Sequence, residues 1–388
     1  MKKVLYLWLV NFWSKVWRTD SPQKVVYLMS FGNNNEFIEE FADACHEKDL
    51  QLLVFYRPEC LAAARKLAEI GVVTKPFTDG FGFLTGPLKE IMAAKLLICD
   101  NYYAFLGGCN FNHHKTRVVQ IWHANGAIKA FGWEDPRTKE RSFFDKRRFQ
   151  KVYNQFDDYI VGSEKMGRVF VDSYHVPETR MKVIGYPRTD RLFSSKWQVD
   201  SRQEIYAAYP ELKDKEVLLY APTYREDEDG NVIFDLPADF DAWAASLPSN
   251  IQLVIKLHPH LARQKKQLQK RLGDKVLWLD QFDTDQVMLV ADKLITDYSS
   301  VIFDYSLLEN AQQIIFYLFD EDQYARQIGL QKDFSAWRPG PVAHNAAELD
   351  EILKNKPVEK AAIENFNQLW NSRNDGQAGE RFLAKYVK

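Results

Sequence analysis

Three short polar clusters each follow an apolar run, and their residue types suit the chemistry of phosphate groups. The first is His123, which ends the run Gln120-Ile121-Trp122 and precedes an Asn-Gly turn. A neutral imidazole at this place can accept a proton from a hydroxyl and make an alcohol nucleophilic. A histidine buried for structural reasons would leave the same pattern, so this cluster alone leaves both readings open.

The second cluster is Lys256-Leu257-His258-Pro259-His260. Pro259 favours an extended conformation at His258 and directs that ring out of the strand, where it can donate a hydrogen bond to a phosphate oxygen. A structural histidine fits equally well. Because no third ligand is clustered with these histidines, no metal site is predicted.

The third cluster is Thr296-Asp297-Tyr298-Ser299-Ser300, followed by apolar residues at helical spacing. We expect Asp297 to cap that helix, which would leave Ser299, Ser300 and the first-turn amides directed at an anion. Capping alone would explain the same residues.

Two further turns each place an arginine after a predicted strand. They are Tyr186-Pro187-Arg188 and Ala221-Pro222-Thr223-Tyr224-Arg225. A guanidinium group is a natural partner for phosphate, and a surface salt bridge is the alternative in both cases.

Apolar, strand-like runs alternate with helix-like polar segments in two successive series. The runs are 25–29, 52–55, 96–99 and 118–121, then 217–220, 253–257, 276–279, 293–296 and 313–317. Strands separated by helices imply parallel sheets, so we predict an α/β chain with two doubly wound, Rossmann-like domains that face a cleft. Each polar cluster then falls at the carboxyl end of a strand, where open α/β sheets bind ligands.

The length and composition fit two ordinary domains. The chain has 388 residues, of which 46% are hydrophobic, and this excludes a disordered chain. A Gly/Pro-containing turn at 185–188 marks the boundary, giving an N-terminal domain at 21–188, a C-terminal domain at 189–365, and a C-terminal helix within 366–388 for which a return to the first domain is open. The four cysteines lack any CxxC spacing, which favours reduced thiols in a cytosolic protein.

Residues 1–20 are predicted to form an amphipathic segment that contacts a membrane. The apolar run at 4–10 is far shorter than the roughly 20 residues needed to span a bilayer, and no signal-peptide cleavage site follows. Trp8, Trp13 and Trp17 fall on the apolar side and can lie at the depth of lipid headgroups. The alternative is a helix packed on the protein's own body.

The segment 138–151 is strongly basic and interleaved with phenylalanine, and Arg147 and Arg148 are its central charges. The first 190 residues carry 27 Lys/Arg against 22 Asp/Glu, whereas the rest carry 24 against 31, so the front half suits an anionic surface. We expect contact with anionic membrane lipid and no nucleic acid. A solvated helix face would show the same charges.

Taken in series, these motifs resemble the CDP-glycerol glycerophosphotransferase family of wall teichoic acid synthesis. The resemblance rests on Trp122 to Lys129, Gly185 to Asp190, Tyr220 to Arg225, Lys256 to Pro259, and Thr296 to Ser300 with Phe303-Asp304, and it covers residues 25–380. It implies a glycosyltransferase-B-like fold with an acceptor-side first domain and a second domain that binds CDP-glycerol. The short length and the sequence after His123 look most like the primase of the family.

The resemblance also implies a reaction and roles for residues. An acceptor hydroxyl, here that of N-acetylmannosamine on an undecaprenyl-diphosphate-linked disaccharide, attacks the phosphorus that bears glycerol and CMP leaves. His123 and His258 would be catalytic, and Asn125, Gly126 and Lys129 would lie on the acceptor side. CDP-glycerol would be bound by Arg188, Thr223, Arg225, His258, Thr296, Asp297, Ser299, Ser300 and Asp304.

No cofactor is implied, a divalent cation is left open, and the enzyme would act as a peripheral protein on the cytoplasmic face of the membrane. Three other functions remain. One is a later transferase that extends an already primed lipid with glycerol or ribitol phosphate. The others are a membrane-bound scaffold without catalysis and a sugar-nucleotide glycosyltransferase or epimerase of similar architecture.

Overall fold

The chain folds into two compact units. The computed structural model describes residues 2–78, 80–226, 231–257, 261–355 and 360–387. The first unit comprises Met1–Asn125, Phe131–Arg191 and Ser372–Lys388, and the second comprises Gly126–Ala130 and Leu192–Asn371.

A seven-stranded parallel sheet forms the centre of the first unit. Its strands are β1 (Lys24–Met29), β2 (Leu52–Tyr56), β3 (Val73–Pro76), β4 (Ala94–Cys99), β5 (Arg117–Gln120), β6 (Asp158–Val161) and β7 (Met181–Val183). Their order is β3-β2-β1-β4-β5-β6-β7, so the direction of winding reverses between β1 and β4. Five of the six residues of β1 are buried, as expected for a strand covered by helices on both faces.

Nine helices among the described residues belong to this unit. They are α1 (Lys2–Trp17), α2 (Asn35–His46), α3 (Leu61–Glu69), α4 (Phe81–Thr85), α5 (Pro87–Met92), α6 (Pro136–Glu140), α7 (Phe143–Tyr153), α8 (Glu164–Tyr174) and, after the second unit, α18 (Ala378–Tyr386). The last helix packs by Phe382 against Phe37 and Phe41, with ring centroids 5.2 and 5.9 Å apart.

Helix α1 turns the fully buried Val10 toward the protein together with the polar side chains of Asn11 and Ser14. The Asn11 side chain donates to the carbonyl of Gly108 at 3.1 Å, Ser14 is fully buried, and the Trp17 indole donates to the carbonyl of Leu84 at 2.9 Å. A Cβ on Gly108 would lie 2.7 Å from the backbone of α1, so glycine is what permits this close approach. The opposite side of α1 is apolar and exposed.

The basic segment 138–151 divides between α6 and α7. Helix α7 begins after Ser142, whose hydroxyl accepts a hydrogen bond from the Asp145 backbone at 3.2 Å, an N-cap that fixes the start of the helix. Phe143 and Phe144, in its first turn, are 71% and 72% exposed.

The second unit is built around a six-stranded parallel sheet and a short antiparallel pair. Its strands are β8 (Glu216–Tyr220), β9 (Arg225–Glu226), β10 (Val232–Ile233), β11 (Ile251–Ile255), β12 (Val276–Leu277), β13 (Lys293–Thr296), β14 (Gln313–Tyr317) and β15 (Val342–Ala343). The sheet order is β12-β11-β8-β13-β14-β15, so the winding reverses between β8 and β13.

The helices of this unit surround that sheet. They are α9 (Ser195–Ala208), α10 (Ala238–Ser246), α11 (Ala262–Leu272), α12 (Thr284–Met288), α13 (Val301–Tyr305), α14 (Glu321–Gln327), α15 (Phe334–Trp337), α16 (Ala346–Asn355) and α17 (Lys360–Trp370). The core on one face of the sheet contains Tyr220, Phe240 and Tyr317, all fully buried.

The predicted α/β class with two doubly wound parallel sheets is confirmed, and all nine predicted strand runs contain a strand. Strands β3, β6, β7, β9, β10 and β15 were not predicted. The four cysteines are free, as predicted, and all four are buried. Among the described residues, no helix has the length and apolar character needed to cross a bilayer.

Candidate functional site

In the first unit, a buried carboxylate fixes the loop that follows β1. Asp100 directly follows β4 and accepts hydrogen bonds from the backbone of Ser30 at 2.8 Å, the backbone of Phe31 at 3.0 Å and the Tyr103 hydroxyl at 2.8 Å. Burial raises the pKa of Asp100 to about 7, although these hydrogen bonds lower it. The network lies where the strand order reverses, which is where an open α/β sheet leaves room for a ligand.

His123 lies just beyond β5, and its ring contacts two aromatic rings. The centroids of Phe31 and Trp122 are both 4.3 Å from that of the imidazole. Trp122 has a φ of 54°, a left-handed conformation that residues with side chains rarely adopt, and its N–H donates to the Gln120 side chain at 3.1 Å. This strained turn, together with Phe31, sets the orientation of the His123 ring.

The surroundings keep His123 neutral. Burial lowers its pKa to about 4, the backbone of Asp100 opposes this shift, and the charge of Arg188 adds to it. Nδ1 is buried and has no hydrogen-bond partner among the described residues. At pH 7 the imidazole is therefore in the form that can accept a proton. Arg188, predicted to bind phosphate, is itself 8% exposed and lies in this unit.

The residues after His123 divide between the two units. A Cβ on Gly126 would lie 2.2 Å from the ring of Phe303, so packing inside the second unit requires the glycine. Lys129 also belongs to the second unit, with its ammonium 5.2 Å from the ring centre of Tyr224. Asn125 is fully buried in the first unit. An acceptor role for the three stays a prediction.

In the second unit, Arg225 is held by two carboxylates. Its Nη1 lies 2.8 Å from Asp297 and its Nε 2.7 Å from Asp320, and the side chain is 12% exposed. The guanidinium carbon also lies 4.8 Å from the ring centre of Tyr324. Because these contacts tie the loop after β8 to the loop after β13, Arg225 has a positioning role. Its contact with phosphate stays a prediction.

Asp297 completes the same arrangement. Its Oδ1 accepts from the backbone of Thr223 at 2.8 Å and of Tyr298 at 2.6 Å. The expectation that Asp297 caps the following helix is therefore wrong, because these groups and Arg225 occupy its carboxylate. Thr296 is buried, and its hydroxyl donates to the carbonyl of Ala221 at 2.7 Å. Both strand ends lie where the order of this sheet reverses.

Ser299 and Ser300 are partly exposed and directly precede α13. The Ser299 hydroxyl accepts from the backbone of Val301 at 3.4 Å, and Ser300 makes no side-chain cap. Asp304, within α13, is 8% exposed. His258, with Pro259 and His260, lies outside the described residues, so its predicted role stays a prediction.

A cavity of about 470 Å³ opens at these strand ends within the second unit. It is lined by Ala221, Pro222, Lys256, Leu257, Lys265, Asp280, Asp283, Thr284, Ser299 and Val301. Burial lowers the pKa of Lys256, whose ammonium donates to the carbonyl of Leu279 at 3.0 Å, and Lys265 pairs with Asp280. The volume of the cavity is in the usual range of small-molecule sites.

The predicted membrane residues differ in exposure. Trp8 is 62% exposed, whereas Trp13 and Trp17 are partly buried. Arg147 is exposed, and Arg148 pairs with Asp145 within α7. In the part of the chain that the structure describes, no group of three or more His, Cys, Asp or Glu side chains could hold a metal ion.

A family model described as CDP-glycerol:poly(glycerophosphate) glycerophosphotransferase matches residues 88–387. This chain belongs to that family. The two units described above are thus those of a glycerophosphotransferase, and His123, Arg225 and Asp297 all lie within the matched region.

Individual relatives agree with this family. The chain is 28% identical over 361 residues to the teichoic acid glycerol-phosphate primase of Bacillus subtilis, covering 93% of this chain and 90% of the relative. It is 30% identical to the teichoic acid ribitol-phosphate primase of Bacillus spizizenii, covering 77% of each. A structure of the wall teichoic acid polymerase TagF superposes with a TM-score of 0.74 at 20% identity, covering 97% of this chain and 93% of that one. The fold of this glycerophosphotransferase is therefore like that of TagF, as the sequence predicted.

Several groups at these strand ends were missed by reading the sequence. Asp100 follows a predicted strand and could have been found by the same rule that found His123. Asp320, Tyr324 and the Phe31 ring carry no local pattern, because their places depend on contacts between distant parts of the chain.

Proposed function

We propose that this glycerophosphotransferase is a primase that moves glycerol phosphate from CDP-glycerol to a hydroxyl of a lipid-linked acceptor, with His123 as the general base. The observation that carries the proposal is the neutral imidazole at the end of β5, whose buried nitrogen lacks a partner among the described residues. The acceptor oxygen attacks the phosphorus that bears glycerol, and its proton passes to His123. A new O–P bond forms, the bond to the CMP oxygen breaks, and CMP leaves.

The donor nucleotide is assigned to the cavity of the second unit. Lys256, Lys265 and Ser299 supply cationic and hydroxyl groups around it, and His258 follows Leu257 of its wall in the sequence. Phosphoryl transfer needs mainly positioning and electrostatic stabilisation from a protein, which these residue types provide. Arg225 contributes indirectly by fixing the two loops that border the cavity.

The acceptor proposed is an undecaprenyl-diphosphate-linked disaccharide that ends in N-acetylmannosamine. The glycerol-phosphate primase relative supports it, and the ribitol-phosphate primase relative supports a second candidate that uses CDP-ribitol. The test supplies either CDP-alditol with the disaccharide lipid or with lipid that already carries glycerol phosphate, and measures CMP release. Transfer only to the primed lipid would refute the primase and favour a later-acting transferase.

A sugar-nucleotide enzyme of similar architecture is distinguished by ligand binding. We expect CDP-glycerol to raise the melting temperature of the protein, because a ligand that binds only the folded state stabilises it. Stabilisation by UDP-sugars without any effect of CDP-glycerol would contradict the proposed donor.

Docking to an anionic membrane through α1 is also part of the proposal. Val4, Leu5, Trp8, Phe12 and Val16 are each at least 50% exposed. They form the outer side of a helix that turns Asn11 and Ser14 toward the protein, with Lys15 exposed beside them. A helix on a water-exposed surface usually turns its apolar residues inward instead. Apolar insertion at headgroup depth, with attraction between lysine or arginine and anionic lipid, explains this orientation.

Vesicle flotation tests the docking surface. Replacing Leu5, Trp8 and Phe12 with serine should release the protein from anionic vesicles, whereas Ile70→Ser, at a residue that is 52% exposed elsewhere on the first unit, should not. Equal flotation of the triple variant and the unaltered protein would remove α1 from the proposal.

A further inference from the structure

A second cavity, of about 150 Å³, lies within the first unit beside α6 and α7. Aromatic side chains form most of its lining, and its charged groups are Asp135, Arg141 and Lys146. We propose that it binds one pyranose ring of the acceptor, with the acceptor diphosphate on Arg141 and Lys146. This inference rests on the proposed function and assigns the acceptor a site that the sequence motifs do not include.

The size and walls of the cavity suit a single six-membered ring. An engineered apolar cavity of about 150 Å³ holds benzene, so a site of this volume has room for one six-membered ring. Trp122 stacks on Phe131 with centroids 5.5 Å apart, and Trp133 stacks on His175 at 4.9 Å. These contacts immobilise flat aromatic side chains, and a pyranose presents an apolar C–H face to such surfaces while its hydroxyls point outward.

Three tyrosine hydroxyls provide matching polar groups. Those of Tyr102, Tyr153 and Tyr174 make no hydrogen bond to any residue that the structure describes, and none of the three oxygens is among the enclosed polar atoms that lack a partner. They are therefore accessible at the cavity, whereas the hydroxyl of Tyr159, nearby in the same core, donates to the Tyr153 carbonyl at 2.8 Å. Hydroxyls without partners at a cavity are satisfied by a ligand that carries hydroxyl groups.

Two cations at the cavity have no carboxylate partner within the described ranges. The Arg141 guanidinium lies 4.5 Å from the ring centre of Phe149, and the Lys146 ammonium donates to the carbonyl of Lys139 at 3.1 Å. By contrast, Arg148 on the same helix is paired with Asp145. The Asp135 carboxylate also lines the cavity, but it pairs with Arg137 at 3.1 Å. Arg141 and Lys146, which have no ion pair with a described carboxylate, therefore fit a diphosphate beside a sugar-sized cavity.

The cavity also lies between the features that the acceptor must join. Trp122 of its wall contacts His123, with centroids 4.3 Å apart. Helix α7, which supplies Lys146, carries the exposed Phe143 and Phe144 in its first turn. The ring next to the diphosphate would occupy the cavity, its lipid would leave along α7, and the outer sugar would extend toward His123. A prenyl chain in the cavity would leave the tyrosine hydroxyls and both cations unmatched.

Kinetics with a soluble acceptor, a disaccharide diphosphate on a short alkyl chain, tests the site without a membrane. Tyr153→Phe keeps the ring stack and should raise the acceptor KM about threefold to tenfold, the effect of one lost hydrogen bond. Arg141→Gln should raise it about tenfold or more, because a charged hydrogen bond is lost. The KM for CDP-glycerol should stay the same. Arg168→Gln, at a 65% exposed side chain of α8, is the matched control and should change neither constant.

Calorimetry without CDP-glycerol separates this inference from the proposed function. The unaltered protein should bind the disaccharide diphosphate, and Tyr153→Phe and Arg141→Gln should weaken that binding. If the protein binds the disaccharide diphosphate in this way but transfers no glycerol phosphate to it, the primase proposal is refuted and the proposed acceptor site is still supported. An acceptor KM within twofold of that of the unaltered protein in both variants would overturn the site. A short prenol that competes with the acceptor, where the free disaccharide does not, would also overturn it.

Discussion

Loss of the His123 imidazole should abolish most of the transfer without affecting donor binding. For His123→Ala we expect kcat to fall about 10²-fold to 10⁴-fold, the usual contribution of a general base, or roughly 3 to 5 kcal/mol of transition-state stabilisation. The KM for CDP-glycerol should not change, because the donor is proposed to bind in the cavity of the second unit, whose lining does not include His123.

The pH dependence follows from the lowered pKa. The group has a pKa of about 4 in the folded protein instead of 6.5, so the neutral base is present above pH 4 and is lost as the pH falls through that value. At pH 6 about one His123 side chain in a hundred would be protonated, whereas a histidine with an ordinary pKa would be protonated in about three molecules of four. The pH profile of kcat/KM should therefore show no rise with a midpoint near pH 6.5 that is due to His123.

Two measurements check this reasoning. The NMR titration of the histidine resonances identifies His123 by the signal missing from His123→Ala, and its midpoint should lie below pH 5. CMP release and glycerol phosphate transfer are measured for the same variant, with the exposed His114→Ala as the control that should retain full activity. A midpoint above pH 6, or a fall in kcat of less than tenfold, would show that His123 is not the base described.

Three stability predictions can be read from urea unfolding. Arg225→Met should cost about 3–5 kcal/mol, because it leaves the buried carboxylate of Asp297 and the partly buried carboxylate of Asp320 without their partner, and a loss below 1 kcal/mol would contradict the positioning role. Gly126→Ala should cost about 1–3 kcal/mol because the added methyl group would clash with Phe303. Gly82→Ala is the control and should not destabilise the protein, because the space around Gly82 is open. Equal losses of stability in the two variants would refute the packing argument. Asp158→Asn should cost about 2 kcal/mol at pH 7. Burial raises the pKa of the Asp158 carboxyl, but its hydrogen bonds with Arg117 and Tyr386 outweigh burial, so the pKa is lowered. The stability that the ionised carboxylate contributes is therefore present above pH 4 and lost in stronger acid. Asp158→Asn should accordingly cost less stability in strong acid than at pH 7.

The sequence predicted strands well where long apolar runs cross a sheet centre. Strands β1, β8 and β14 are nearly all buried, and their mostly apolar composition predicts this burial. Strand β6 was missed because it has four residues and starts with Asp158, which is tolerated only because Arg117 on the neighbouring strand forms two hydrogen bonds with it, at 2.8 and 2.6 Å. Strand β7 was missed because its three residues are only half-buried.

The candidate site was predicted in part. The rule that ligands bind beyond the carboxyl ends of parallel strands identified His123 and Asp297, because that rule needs only the end of an apolar run. It does not explain why Gly126 must lack a side chain, because that need comes from Phe303, far along the chain. It also gave Asp297 a local partner, the helix N-terminus, where the structure shows Arg225, 72 residues away.

The sequence by itself determined the alternation of strands and helices, the parallel sheets and the polar clusters at strand ends, because each depends on the spacing of apolar residues over one element. Only the tertiary structure decided which side of α1 faces the protein, which carboxylates hold Arg225, and that aromatic residues from 102 to 174 enclose one cavity. These depend on contacts between residues far apart in the chain, and the periodicity of one segment contains no information about the segment that packs against it.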